Sequence, residues 1–133
     1  RWCEGIVHLL DDRQFDIAGQ RIRWLFTFVI VHQPFDALIQ RYFDETGDQK
    51  PIATLEGHDK AVHLAMQSQY YYKSGHYVEA DECAKQCINE TKYLLEDDVA
   101  RADEWLLVQK SLKHIKNSEN ARDYLEQLIP SMD

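Results

Sequence analysis

The chain has 133 residues, of which 44% are hydrophobic and 29% charged, with a net charge of −8. That balance excludes a disordered chain and suits one folded domain over residues 1–133. The acidic excess is spread along the chain: residues 1–58 carry 6 basic and 9 acidic groups, and residues 59–133 carry 9 and 14, so no basic patch recommends a nucleic acid as partner.

Only 3 prolines and 5 glycines interrupt a sequence rich in Leu, Ala, Gln, Glu and Lys, which favours an all-α fold. Three cysteines, an odd number, argue against a disulfide framework and for a reducing, cytoplasmic setting. The longest apolar run, "WLFTFVIV" at 24–31, is too short to cross a bilayer, and no membrane association is expected. The chain has no initiator Met and opens directly into apolar sequence, as a piece of a longer protein would.

In chain order, "WCEGIVHLL" at 2–10 reads as an apolar-faced helix and "DDRQF" as a turn. Asp16 is placed to cap a second helix from Ile17 to about Val31, with Pro34 as its stop. Asp36 is placed to cap "ALIQRYFDE", and Gly47 to end it. Residues 47–58 read as the main loop. Asp59 opens a helix to about Ser74, Gly75 breaks it, and Val78 to about Leu95 forms its partner. Further helices are expected over Val99–Ile115 and Asn120–Leu128. The run "WLFTFVIV" is apolar on every side. It reads as a helix buried on all faces, or else as an interface with another subunit of a homo-oligomer.

An internal register links three segments. Trp2, Leu9, Phe15, Ala18, Ile22 and Leu25 recur at the same spacings as Leu64, Tyr71, Tyr77, Ala80, Ala84 and Cys87, and again as Trp105, Leu112, Ser118, Ala121, Leu125 and Leu128. In each segment a large residue opens the first helix, an aromatic or polar residue follows the turn, and a small residue marks the crossing of two helices. In "KSGHYVEA", Gly75 makes the turn, Tyr71 and Tyr77 pack it, and Ala80 permits close approach.

Residues 61–94 resemble the tetratricopeptide repeat through Tyr71, Gly75, Tyr77 and Ala80. They depart from it in Gln67-Ser68, where that family has Leu-Gly, and in lacking the proline after the second helix. The alanines lie 62 and 41 residues apart rather than at the family's regular spacing, so the second helices are longer or residues 36–58 hold an extra degenerate pair. The resemblance implies antiparallel helical hairpins, six to eight helices in all, stacked as a superhelix or compact bundle, with a groove lined by the first helix of each pair. Carried onto this sequence, the partner-facing residues are Met66, Gln69, Tyr72 and Lys73, then Leu107, Lys110, Lys113 and His114. Ala65 and Leu107 stand where the family's clamp for a C-terminal carboxylate has Lys and Asn, so a peptide or helix docking through Met66 and Tyr72, steered by Lys73, Lys110 and Lys113, is expected instead.

Catalytic readings lack a residue set. There is no Gly-rich phosphate loop, no GxSxG and no HExxH, and "DETGDQK" lacks the acidic ligands of an EF-hand. Asp11-Asp12, Asp97-Asp98 and Asp103-Glu104 read as solvated helix ends. Cys83 and Cys87 are four apart, with only His63 and His76 near, which falls short of a structural zinc set. The expectation is therefore a binding module in a larger cytoplasmic protein, not an enzyme, with no metal or cofactor and a protein or peptide partner. The alternative is a ligand- or peptide-sensing regulatory domain of a signalling or transcriptional regulator.

Overall fold

A computed structural model describes residues 2–28, 33–47, 55–94 and 108, and all the regular structure among them is α-helical. The chain divides into two units, Arg1–Leu55 and Glu56–Asp133. The first holds α1 (Trp2–Asp11), α2 (Phe15–Phe28) and α3 (Gln33–Thr46); the second holds α4 (Gly57–Lys73) and α5 (Tyr77–Leu94).

In the first unit, α1 stops because Arg13 adopts a left-handed conformation, φ 59. Its N–H reaches the Leu10 carbonyl at 3.0 Å, and the Gln14 N–H reaches Leu9 at 2.8 Å. Together these close a Schellman motif, which satisfies carbonyls a helix end leaves open. The Arg13 guanidinium lies over the Phe15 ring, 5.4 Å from its centroid. The chain has by then already turned, so α2 begins at once: the Ala18 N–H bonds to the Gln14 carbonyl at 3.0 Å. Asp16 is therefore not the cap but a first-turn carboxylate, stabilised there by the positive end of the helix.

The third helix starts ahead of the expected Asp36, which again lies in the first turn. Pro34 sits at the start of α3, where its missing N–H costs no hydrogen bond. Gly47 ends α3 in a left-handed conformation, φ 79, with its N–H on the Phe43 carbonyl at 3.0 Å. The core joins Ile6 and Leu10 of α1 with Ala18, Ile22, Leu25 and Phe26 of α2 and Leu38, Ile39, Tyr42 and Phe43 of α3. Helices α2 and α3 approach so closely at Gly19 that a Cβ there would lie 2.5 Å from Tyr42 Oη. Outside the core, Arg41 of α3 bonds Asp11 at the end of α1 and Glu45 one turn on, each at 2.6 Å. These two bonds hold the Arg41 pKa above its ordinary value.

The apolar run in α2 is not buried on all faces. Leu25 and Phe26 enter the core, but Trp24 is 49% exposed and shares the outer face with Ile17, 43% exposed. Residues 29–31 of the run lie outside the described residues.

In the second unit, α4 begins at Gly57 (φ 59) after an extended Glu56, and Asp59 is a first-turn residue rather than the helix start. Eight consecutive residues, Ala61–Ser68, are buried. One face of α4 meets α5 along a seam of small residues: Ala61, Ala65 and Ser68 against Ala80, Ala84 and Cys87. Polar atoms in the seam are satisfied locally. Ser68 Oγ donates to the Ala80 carbonyl at 2.9 Å, and Cys87 Sγ to the Ala61 carbonyl at 3.2 Å. Beside the seam, Cys83 Sγ approaches Gln67 Oε1 at 3.6 Å. Lys60 pairs with Glu90 at 3.1 Å toward the open end of the hairpin.

At the closed end, Gly75 is left-handed, φ 83. Its N–H reaches the Tyr72 carbonyl at 3.1 Å, the His76 N–H reaches Tyr71 at 2.8 Å, and the Ala80 N–H reaches His76 at 3.0 Å. This is the bond pattern of the α1–α2 turn, residue for residue, with Arg13 in the place of Gly75. The aligned positions Ala18 and Ala80, Ile22 and Ala84, and Leu25 and Cys87 are all buried. The third segment, from Trp105 to Leu128, lies outside the described residues, as do the helices expected at 99–115 and 120–128 except for Val108, which is helical and buried.

Candidate functional site

The α4–α5 turn presents the densest group of exposed apolar side chains among the described residues. Tyr72 is 45% exposed, Tyr77 46% and Val78 66%. Their placement follows from the local backbone. Tyr72 and Lys73 end α4, the Gly75 turn reverses the chain, and Tyr77 and Val78 open α5. The reversal brings Tyr72 and Tyr77 edge to face, with centroids 5.2 Å apart at 67°. Behind them Tyr71 contacts Tyr70 at 5.4 Å and His76 at 6.2 Å. His76 Nδ1 lies 3.8 Å from Glu79, an ion pair when the imidazole is protonated. Lys73 is exposed beside Tyr72, so the patch combines two aromatic rings, an aliphatic side chain and a basic group.

Of the expected partner-facing residues, Tyr72 and Lys73 are exposed and Gln69 is half-buried. Met66 is fully buried. It belongs to the core and presents no surface, because α4 is covered on more sides than the one that meets α5. Leu107, Lys110, Lys113 and His114 lie outside the described residues. Tyr77 was expected to plug the turn. It does lean on Tyr72, but half of it faces outward, and Val78 beside it, expected only to open the helix that in fact begins at Tyr77, is exposed as well. The signal for Val78 was available: it falls out of phase with the Ala80, Ala84 and Cys87 seam, on the outer face of α5.

Cys87 is buried on the Ala61 carbonyl, and among the described residues no three His, Cys, Asp or Glu side chains converge as a metal site would require. No described helix is long and apolar enough to cross a membrane. No protein family, curated protein or solved structure matches the chain.

Proposed function

We propose that the chain is a protein–protein interaction module built of stacked helical hairpins, and that it binds a protein or peptide partner at the α4–α5 turn. The observation that carries this reading is the exposed Tyr72–Tyr77–Val78 cluster beside Lys73. Tyrosine offers a large contact area at low entropic cost and a hydroxyl for hydrogen bonding, which is why interface centres are enriched in it. The repeated hairpin turn supports a tetratricopeptide-like arrangement, in which successive hairpins offer their ends and first helices to partners.

Capture from native lysate tests the reading. Wild type is compared with the double variant Tyr72→Ala/Tyr77→Ala, after circular dichroism has established that both proteins are folded. Loss of a specific co-purifying protein in the variant is expected. Identical recovery by both proteins overturns the assignment.

A further inference from the structure

We infer that Tyr72 and Tyr77 form an oxidative modification site. A one-electron oxidant, such as the ferryl haem of a peroxidase, joins their rings into a dityrosine that bridges α4 and α5 across the turn. The inference concerns the two phenols themselves and stands whether or not a partner binds this turn.

Geometry singles out the pair. The rings meet edge to face with centroids 5.2 Å apart, and each is nearly half exposed, 45% and 46%. A diffusing oxidant therefore reaches both, and a side-chain rotation brings their edges together. They come from different helices: Tyr72 lies in the last turn of α4 and Tyr77 opens α5, with the left-handed Gly75 between them. Tyr70 and Tyr71 lie 5.4 Å apart, but they are half-buried consecutive residues of one helix, which project about 100° apart. Tyr42 is buried and packs on Phe43. The first hairpin has the same turn, yet Leu10 and Phe15 stand at the aligned places and offer no phenol.

The chemistry balances. Each phenol gives one electron to the oxidant and one proton to solvent. The two phenoxyl radicals combine through a ring carbon beside each oxygen, and one C–C bond forms. The hydrogen on each of those carbons is then lost as a proton while each oxygen regains one, which restores two phenols. The chain loses two hydrogen atoms in all.

The test is photolysis of dilute full chain with a ruthenium tris-bipyridine complex and persulfate, whose Ru(III) form removes single electrons from phenols. Trypsin cuts after Lys73, so the bridge would join the peptides 61–73 and 74–85. Mass spectrometry of the monomer fraction should find that joined pair two hydrogens light, with dityrosine fluorescence. Tyr72→Phe and Tyr77→Phe should each abolish it, and Tyr71→Phe should not. In urea the yield should fall about ten-fold, because the fold no longer holds the rings together. A monomer without the joined pair, a bridge that survives Tyr72→Phe, or an equal yield in urea overturns the inference.

Discussion

Replacing Gly19 by alanine separates two opposed effects of known size. In the interior of a helix, alanine is favoured over glycine by about 1 kcal/mol. At Gly19, however, the new Cβ would lie 2.5 Å from Tyr42 Oη and 2.9 Å from its Cζ. Tyr42 cannot easily give way: it is buried and edge to face with Phe43 at 5.3 Å. Overpacking of this kind costs about 1–3 kcal/mol. Gly5 supplies the control, since it lies within α1 and its Cβ would meet nothing within 4 Å. Gly5→Ala should stabilise by about 0.5–1 kcal/mol, and Gly19→Ala should fall below it by the overpacking cost of about 1–3 kcal/mol. Urea melts followed by tryptophan fluorescence report on this unit through Trp24 of α2. In a Tyr42→Phe background the gap should narrow, because the nearer of the two contacts is removed. If Gly19→Ala melts with Gly5→Ala, α2 and α3 do not approach as described.

Gly75→Val should destabilise by about 1–2 kcal/mol, because φ 83 is a left-handed conformation that a Cβ opposes; an unchanged urea midpoint refutes the tight turn. Gly57→Val, in the loop by sequence, should cost a similar amount, since Gly57 is itself left-handed at φ 59. Ala80→Leu should lower stability by about 1–3 kcal/mol by forcing the α4–α5 seam apart, and an unaltered thermal melt would place Ala80 outside that seam. Burial raises the Tyr42 pKa, the Arg23 charge opposes the rise and Asp16 adds to it. The unfolded chain then releases this proton first, so stability should decline as pH climbs past about 10. Tyr42→Phe should flatten that decline in alkaline urea melts, and identical slopes for both proteins would contradict it.

Much of the helical order was readable because the turns carry recognisable chemistry. Gly75 announces its left-handed bend, and Gly47 does the same for α3. The α1–α2 turn is readable from the polar stretch "DDRQF", although Arg13 gives no sign of the left-handed conformation it adopts. The helix starts were read late for one physical reason. The sequence places Asp16 and Asp36 as caps and Asp59 as the first residue of its helix, yet all three lie inside the first turn. Aspartate is favoured at both places, by hydrogen bonding at the cap and by the helix dipole in the first turn, so composition alone does not separate them. The candidate site was half readable. The resemblance implies outward-facing Tyr72 and Lys73, and both are exposed, whereas the burial of Met66 depends on what covers the far side of α4, which the pairing pattern of two helices does not encode.

The eight buried residues from Ala61 to Ser68 also bear on how the protein opens. Amide protons exchange with solvent only when their helix is both unbonded and wetted, and those wrapped on every side wait for the rarest openings. In deuterated buffer this stretch should keep its protons longest in α4, while the amides at Tyr72 and Lys73 near the turn exchange early. A partner seated on the turn would slow exchange at those two residues and leave Ala61–Ser68 unchanged, so isotope uptake along α4 would locate a bound partner without any substitution in the chain.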